Sequence, residues 1–288
     1  GTYTNVTKYM SAINELREGL AHTETAQFVT TMLRDISATR LQSIRAAYEA
    51  NERYYLELHA LMQLLHTYAA EKGIALPGAE KQLVYVALTS NRRFYGTLND
   101  DVINQLLEVT EADSSAHCVV LGQTGKQILE RKSIANTVTY MQFKKDEPTP
   151  EEIQSVVSNL IPYAEVVVIH PTYINAFEQK AKISDVTHVP HPKKGETETE
   201  TLEYLIEPDI PGMLAFFKTQ IRFVLFDRIV LETRLALTGA RLMKMQRARE
   251  RTEEMLVDER RVIHKEISTM QSMRLLETFT GFHNENAL

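Results

Sequence analysis

Apolar residues recur at steps of three and four along the first quarter of the chain, a spacing typical of one face of a helix. The row is Leu41, Ile44, Tyr48, Tyr55, Leu58, Met62 and Leu65, and only Asn51 interrupts it. Between Leu20 and Lys72 there is neither glycine nor proline. We therefore predict one helix from about residue 8 to residue 72, with this row as the seam of a coiled coil. At 1.5 Å per residue it would be roughly 95 Å long, and it would need a partner along its whole face.

A second long segment with few helix breakers lies in the last third of the sequence. No proline follows Gly212, and only Gly239 and Gly281 interrupt the segment. Its apolar face becomes sparser along the chain and consists of Leu214, Phe217, Ile221, Val224, Leu225 and Ile229, followed by Leu242, Met245, Leu256, Ile263 and Met270. We predict a helix from about residue 212 to residue 280, antiparallel to the first. The stretch from Arg247 to Arg261 is polar almost all round, which is typical of a solvated coiled-coil face or of a helix in a polar channel.

Most of the glycines and prolines lie between these segments, where the pattern is that of an α/β domain. We predict strands over Leu83–Leu88, Cys118–Leu121, Val138–Phe143 and Ala164–His170, and a helix that begins near Leu98 or Asn99. A further helix begins at Thr149, with Pro150 at its first position and two glutamates in its first turn, where the helix dipole favours them. The charged stretch from Lys193 to Glu200 is expected to be an exposed loop or hairpin tip. The predicted domains are residues 1–75 and 212–288, which form a long antiparallel coiled coil, and the central α/β domain 76–211.

The composition is that of a soluble globular protein and gives no sign of a nucleic-acid-binding, disulfide-rich or membrane-spanning one. The chain is 43% hydrophobic and 24% charged, as soluble globular proteins are. Its net charge of −6 gives no reason to expect a nucleic-acid partner. The single cysteine, Cys118, excludes an internal disulfide framework and suits a reducing compartment. No stretch reaches 18 consecutive apolar residues, so we expect no transmembrane helix.

One motif superficially suggests nucleotide binding. Gly122 to Lys126 follows a predicted strand and contains Gly-x-x-Gly-Lys. A phosphate-binding P-loop needs four residues between its glycines and a Ser or Thr after the lysine, whereas this chain has two residues and then Gln127. We expect a strand-turn-strand hairpin here and treat nucleotide binding as the weaker alternative.

Other candidate chemistry is sparse. His188 and His191 could coordinate a metal, but no third ligand is evident near them, so solvated loop histidines are the simpler interpretation. Cys118 lies in an apolar strand and is expected to be a core residue. No nucleophile–base pair and no pair of carboxylates points to catalysis. We predict no catalytic residue, no cofactor site and no metal site.

Five motifs, in collinear order, resemble those of the γ subunits of F-type ATP synthases. The run Thr89 to Asn99 resembles Thr-Ser-Asp-Arg-Gly-Leu-Cys-Gly-Gly-Leu-Asn, and Glu15-Leu16-Arg17 resembles Glu-Ile-Arg of the N-terminal helix. The other three are Val119 to Lys126 (resembling Val-Val-Gly-Arg-Lys-Gly), Tyr204 with Glu207-Pro208-Asp209 (Tyr-Glu-Pro-Asp) and Ala240 to Met245 (Ala-Arg-Met-Met-Ala-Met). The chain is thus similar to this family over nearly its whole length.

The chain also departs from the family pattern. Ala236-Leu237-Thr238 replaces Ser-Glu-Gln or Ser-Glu-His, and Ile267-Ser268 replaces an Arg-Gln pair. The family's Asp-Asn-Ala-Thr-x-Asn-Ala becomes Gln246 to Thr252. These departures indicate a divergent γ subunit, of an alternate ion-pumping F-type ATPase or of a motor with another task.

The resemblance implies a non-catalytic rotor subunit that forms the central stalk of a rotary ATP synthase or ATPase. The implied partners are the α and β subunits of the catalytic ring, the ε subunit and the membrane c-ring. The implied contacts with the catalytic ring are Leu33, Arg241, Met245 and Ser268, and those of the α/β domain are Asn91, Arg92, Gly96, Leu98 and Asn99. The implied location is the cytoplasmic face of a bacterial inner membrane, with the mitochondrial matrix side as the second option. A non-rotary coiled-coil adaptor is the alternative from another class.

Overall fold

A computed structural model describes residues 2–71, 83–92, 95–112, 116–132, 138–145, 147–175, 177–187 and 210–285. The chain divides into two compact units. We call Gly1–Ile36 with Leu242–Leu288 the terminal unit, and Ser37–Arg241 the central unit. The stretches 193–200 and 204–209, which include the predicted exposed loop and one of the family motifs, lie outside the described residues, as does the predicted domain boundary at residue 75. The three-domain division therefore stays a prediction.

Two long helices bracket a mixed α/β region, as the sequence predicts. The elements in chain order are α1 (Thr2–Glu71), β1 (Leu83–Leu88), α2 (Leu98–Ala112), β2 (His117–Leu121), α3 (Gln123–Arg131), β3 (Val138–Met141), α4 (Pro150–Leu160), β4 (Glu165–Tyr173), β5 (Gln179–Asp185) and α5 (Ile210–Glu285). The two long helices and the four predicted strands are confirmed within a few residues at each end.

The described strands form one five-stranded sheet with the order β3-β2-β1-β4-β5. Strands β1 to β4 are parallel, and β5 runs antiparallel to β4 along the edge. The sequence did not predict β5, because its first residues, Gln179-Lys180-Ala181-Lys182, are mostly polar and include two lysines. Edge strands tolerate such lysines, which also prevent pairing with a further strand. The central strand β1 is apolar on both faces, as a strand covered on both sides must be.

The start of α4 follows its predicted capping chemistry. The Thr149 hydroxyl accepts a hydrogen bond from the Glu152 N–H, and the Glu152 carboxylate accepts one from the Thr149 N–H. These two bonds form a capping box that satisfies two otherwise unpaired helix donors. The backbone hydrogen bond from Thr149 lowers the pKa of Glu152, with a second contribution from the Lys144 backbone.

The predicted hairpin after β2 is wrong, because the chain turns there into helix α3. Gly122 has a φ of 106°, which lets the chain leave β2 in a direction that other residues rarely adopt. Ile128 and Leu129 are buried on one side of the following segment. In the helix, both side chains pack into the same core cluster, whereas on a strand these adjacent residues would point to opposite faces.

Within the central unit α1 and α5 pack antiparallel along the predicted seam. Leu65 clusters with Met213 and Phe217, whereas Ile44 clusters with Leu231 and Leu235. The other buried seam residues are Tyr55 and Leu58 on α1 and Ile221, Val224, Leu225 and Ile229 on α5, and they join the core beneath the sheet. Asn51, the interruption of the seam, donates a hydrogen bond to the Asp227 carboxylate at 2.8 Å. A polar pair at such a position fixes the register of two helices.

The terminal unit contains the other ends of both helices. Where its side chains are described, the buried ones are few and widely spaced, namely Ile13, Thr23, Met245, Leu256 and Ile263. The Thr23 hydroxyl donates to Glu259 at 3.0 Å, and Arg260 donates to Glu24 at 2.9 Å. The polar stretch 247–261 predicted from sequence thus meets α1 partly through polar bonds. None of the described helices combines the length and apolar character of a bilayer span.

Candidate functional site

The loop that follows β1 is held by its own side chains. The Asn99 side chain accepts a hydrogen bond from the Ser90 N–H and donates one to the Ser90 hydroxyl, both at 3.0 Å. The Ser90 hydroxyl in turn donates to the Arg92 carbonyl at 2.8 Å. Gly96 has a φ of 68°, which turns the chain towards the start of α2. These bonds join residues 90–92 to one another and to Asn99 at the start of α2.

The same loop also covers the start of α3. Four successive N–H groups there donate to protein acceptors: Gly122 to the Met141 carbonyl, Gln123 to the Asn91 side chain, Thr124 to the Ser90 carbonyl and Gly125 to the Thr89 hydroxyl. A phosphate at a helix N-terminus is bound by such N–H groups when they are free. Because protein acceptors already occupy all four, this Gly-Lys turn cannot act as a P-loop without unfolding.

The two glycines of this turn have a packing role. A Cβ atom at Gly122 would lie 2.3 Å from the Thr89 carbonyl oxygen, and one at Gly125 would lie 2.6 Å from the Thr89 hydroxyl. Neither distance is compatible with a side chain, so both positions require glycine. The feature that superficially resembled a phosphate loop is therefore a close contact between the ends of β1 and β2.

Beyond this turn, the loop contacts helix α5. Tyr95 and Leu98 are buried against Leu237, with Ala240 packed beside them. The Arg241 guanidinium donates a hydrogen bond through Nη2 to the Tyr95 hydroxyl, and its carbon lies 4.6 Å from the ring centroid. Such a stacked arginine combines a cation–π contact with a directional hydrogen bond. The loop thus holds the side chain of Arg241 in a defined place.

The structure brings the predicted contact residues of the α/β domain together. Leu98 and Asn99 are buried and hold the loop, whereas Arg92 and Gly96 are exposed on it and Asn91 is half-buried. The intervening residues 93 and 94 lie outside the described part of the chain. The hydrogen-bonded described part of this loop, with its exposed rim, is suited to contact with another protein, since groups already held in place lose little order on binding.

The predicted contacts with a catalytic ring divide between the two units. Arg241 belongs to the central unit, and Leu33, Met245 and Ser268 belong to the terminal unit. Leu33 and Ser268 are exposed, but only 7% of Met245 is, so Met245 is available for packing within its unit and not for a surface contact.

Two residues of the site were not predicted from the sequence, Tyr95 and Leu237. Both are departures from the γ pattern, which has Cys and Glu at these positions. They contact each other in the folded chain. These two departures from the pattern, far apart in sequence, were the available signal for this contact.

Other candidate groups have structural roles. Cys118 is buried in β2 within the core cluster, as predicted. No cluster of three or more metal-binding side chains occurs among the described residues, and His188 and His191 lie outside them.

A buried histidine lies near the end of β4. Its Nε2 is 2.9 Å from the Ser184 hydroxyl, and its Nδ1 is 3.1 Å from the Pro171 carbonyl, which only accepts. The Nδ1–H tautomer of His170 satisfies both contacts. Burial lowers the pKa of His170, against an opposing effect of Glu232 on α5. Glu232 also accepts a hydrogen bond from Thr172, which ties the end of β4 to the helix.

The architecture that these observations define is a mixed α/β domain bracketed by two long helices, with the loop after β1 as its candidate contact surface. A family model described as ATP synthase matches residues 12–266. The chain belongs to this family, and its similar curated relatives are ATP synthase gamma chains.

The relatives are distant in sequence. The ATP synthase gamma chain of Desulforamulus reducens is 22% identical over 260 residues, which cover 86% of this chain and 89% of that one. The gamma chain of Clostridium botulinum strain 657 is 22% identical over 184 residues, which cover 61% of this chain. The match spans only 64% of the length of that relative.

Solved structures show the same fold. The central stalk and c-ring structure of the Tetrahymena thermophila mitochondrial ATP synthase includes a chain that matches with a TM-score of 0.58 and 13% identity, covering 76% of this chain and 99% of that one. A chain of the Euglena gracilis mitochondrial ATP synthase rotor matches with a TM-score of 0.53 and 14% identity, covering 93% of this chain and 99% of that one. At such identities the likeness concerns the fold.

Proposed function

We propose that this chain is the central rotor subunit of a rotary F-type ATP synthase or ATPase. The observation that carries the proposal is the pair of long helices, Thr2–Glu71 and Ile210–Glu285, which bracket an α/β sheet in a member of the ATP synthase family. A coiled-coil adaptor has no reason to insert such a domain between its two helices, and the family match does not favour it. The chain departs from the γ pattern at 236–238 and 246–252, but a specialised motor with another task is not favoured either, because the similar curated relatives are ATP synthase gamma chains.

In the proposed mechanism the chain does no bond chemistry. The helices form an asymmetric shaft inside a ring of α and β subunits, and each rotational position of the shaft favours a different conformation at each catalytic site. Binding free energy between the shaft and the ring thereby couples ATP chemistry to rotation. The α/β domain contacts the ε subunit and the membrane c-ring, so the chain is peripheral to the membrane through its complex. We place this complex at the cytoplasmic face of a bacterial inner membrane.

The contacts that we propose with the ring are Leu33, Arg241 and Ser268. Arg241 supplies the strongest argument, because it is half-buried and forms no ion pair within the described residues. Other half-buried arginines of α5 have carboxylates, as Arg228 has Glu52 and Arg234 has Glu147. A partly desolvated cation without a carboxylate is suited to an acidic group on a partner. For the α/β domain we propose the exposed rim of the loop, Arg92 and Gly96, with Asn91, Leu98 and Asn99 as its support.

Reconstitution tests the proposed function. The chain, mixed with α and β subunits of a γ-dependent ATPase, is expected to assemble and to restore ATP hydrolysis, whereas the chain alone is expected to hydrolyse no ATP. Lys126→Ala is expected to leave the reconstituted activity unchanged, because the adjacent N–H groups are already bonded within the protein. Appreciable turnover by the isolated chain, or no assembly with the ring subunits, would contradict the proposal.

Arg241 tests the proposed ring contact. We expect Arg241→Ala to impair coupled ATP hydrolysis and Arg241→Glu to impair it further, because removing one partner of a buried charge pair costs about 2–5 kcal/mol. Arg131→Ala is the matched control, since that arginine is exposed on α3 and donates only to its own helix backbone. Unchanged coupled activity in both Arg241 variants would show that this contact has no function here.

A further inference from the structure

The cation of Arg241 is held by an aromatic side chain and not by a carboxylate. Its Nη2 donates to the Tyr95 hydroxyl, and its guanidinium carbon lies 4.6 Å from the ring centroid. A neutral phenol restricts the orientation of a guanidinium without neutralising it. The other N–H groups of Arg241 form no hydrogen bond with the described residues, so they keep both their charge and their capacity to donate.

Tyr95 is fixed by the fold and not by Arg241. Only 5% of Tyr95 is exposed, and its ring packs against Leu98 and Leu237. Gly96 turns the backbone directly after Tyr95, and hydrogen bonds join Ser90, which precedes Tyr95 in sequence, to Asn99, which follows it. The tyrosine is therefore a rigid support for a side chain that is otherwise flexible.

The sequence around this pair differs from the γ pattern in a consistent way. That pattern has Glu at position 237, four residues before the arginine, where opposite charges on one helix face attract each other. In this chain Leu237 stands in place of that glutamate, and Tyr95 stands in place of the cysteine of the pattern. An arginine that the pattern would place beside an internal carboxylate is here held by a group that leaves its charge uncompensated.

We propose that Tyr95 is a positioning residue for Arg241, which presents the guanidinium in one orientation to a carboxylate of the partner ring. This inference rests on the rotor function proposed above. Fixing the side chain before binding removes the loss of rotamer freedom that binding would otherwise require. A planar guanidinium that is already oriented can form two parallel hydrogen bonds with a carboxylate, a geometry that lysine cannot reproduce.

The chain contains an internal control of the same chemistry. Arg228 donates to the Tyr48 hydroxyl through Nη2 at 3.2 Å and lies 5.4 Å from the centroid of its ring. Unlike Arg241, Arg228 also has a carboxylate within the chain, since it donates to Glu52 at 2.9 Å. Removing the tyrosine hydroxyl is therefore expected to have functional consequences at position 95 and not at position 48.

The experiment compares four variants in the complex reconstituted with α and β subunits, with ATP hydrolysis as the readout. Tyr95→Phe is expected to lower the turnover about threefold to tenfold, the effect of one hydrogen bond. Tyr48→Phe is expected to change it by less than about twofold. Arg241→Met tests the arginine itself, and Tyr95→Phe combined with Arg241→Met is expected to be no worse than Arg241→Met alone.

A second readout uses the isolated chain and requires no partner. With 15N-labelled arginine, the Nε–H signal of Arg241 can be assigned by its absence in Arg241→Lys. This signal is expected to be shifted by the aromatic ring, and to move to the position of exposed arginines in Tyr95→Leu. Both readouts use the full-length chain, and circular dichroism checks that each variant is folded.

The outcomes separate this inference from the proposed function. A loss in Tyr95→Phe that disappears in the Arg241→Met background supports the positioning role. An equal loss in both backgrounds, no loss at all, or an Arg241 signal that Tyr95→Leu leaves unmoved overturns it. If the unaltered chain does not assemble although its Arg241 signal shows the stack, the rotor function fails, and the positioning role for the ring fails with it.

Discussion

In the central unit α1 and α5 bury a nearly continuous seam, and the large apolar side chains that they are seen to expose are Tyr54, Leu56, Leu61 and Phe216. In the terminal unit the same two helices leave many more such side chains in solvent. The exposed residues of the terminal unit include Met10, Phe28, Val29, Met32 and Ile36 on α1, and Met255, Val257, Val262, Leu275, Leu276 and Phe279 on α5. In the central unit the seam is continuous with the core beneath the sheet. One pair of helices is thus stabilised in two different ways.

From this difference we expect the central unit to fold by itself and the terminal unit to gain stability from a partner. Most of the stability of a helix in a protein comes from packing of its apolar face and not from the propensities of its residues. The helices of the central unit have that packing within the chain. Those of the terminal unit expose apolar surface of the kind that marks interaction sites. This contrast agrees with the proposed shaft, whose surface is covered only inside the ring.

The largest effect on stability is expected from a comparison of two phenylalanines, one in each unit. Only 1% of Phe226 in the central unit is exposed, whereas 65% of Phe28 in the terminal unit is. We expect Phe226→Ala to lower the free energy of unfolding by about 3–5 kcal/mol, because it removes buried area and leaves a cavity. Phe28→Ala is expected to change the stability of the isolated chain by less than about 0.5 kcal/mol. Chemical denaturation followed by circular dichroism measures both.

For assembly with the catalytic ring we expect position 28 to matter although it contributes little to the stability of the isolated chain. We expect Phe28→Asp to leave the isolated chain folded but to weaken its incorporation into the catalytic ring. If Phe28→Ala destabilises the isolated chain as much as Phe226→Ala, the exposed face of the terminal unit is part of a core, and the contrast between the units fails.

A buried arginine in the central unit allows a second test. Arg222 donates to the carbonyls of Ile161, Tyr163 and Ala164 at 3.1–3.3 Å, and so caps the end of α4. Burial lowers the pKa of Arg222, with an opposing effect of Asp185. We expect Arg222→Ala to cost about 2–3 kcal/mol, since these carbonyls lose a charged donor. Arg222→Lys should recover part of this loss. Hydrogen exchange of the α4 amides should increase in Arg222→Ala, and unchanged exchange would contradict the capping role.

The features of the fold that could be predicted from the sequence are those that follow a periodic or local pattern. The seam, the strands and the α4 capping box follow from repeats and local spacing, so Leu65, Tyr55 and Thr149 were placed correctly. Strand β5 was missed because an edge strand needs no apolar run, and α3 was misread because Gly122 suggested a turn. The Tyr95–Arg241 contact joins residues 146 apart in sequence, and no local pattern encodes it.

The third prediction concerns how the stability of the central unit depends on pH, and its expected effect is smaller. The pKa of His170 is lowered by burial, so below about pH 6.5 the unfolded chain binds a proton that the folded chain excludes. Stability therefore falls as the pH falls through this range, by at most about 1.4 kcal/mol per pH unit for one group. Burial raises the pKa of Asp227, which acts with the opposite sign at lower pH. His170→Gln should flatten the dependence between pH 7 and pH 5, and an unchanged slope would exclude His170 as its source.

The smallest expected effect comes from two ion pairs with the same atoms and the same distance. Arg228–Glu52 in the central unit and Arg260–Glu24 in the terminal unit both have Nη2–Oε1 distances of 2.9 Å. The arginine side chain is 27% exposed in the first pair and 62% exposed in the second. We expect Glu52→Gln to cost about 0.5–1 kcal/mol and Glu24→Gln less than about 0.5 kcal/mol, because water and salt screen the exposed pair. Denaturation at low salt and in 1 M NaCl measures both, and salt should abolish the effect of Glu24→Gln first. Equal costs at low salt would show that partial burial of the arginine does not strengthen the pair, and that the units differ in apolar packing alone.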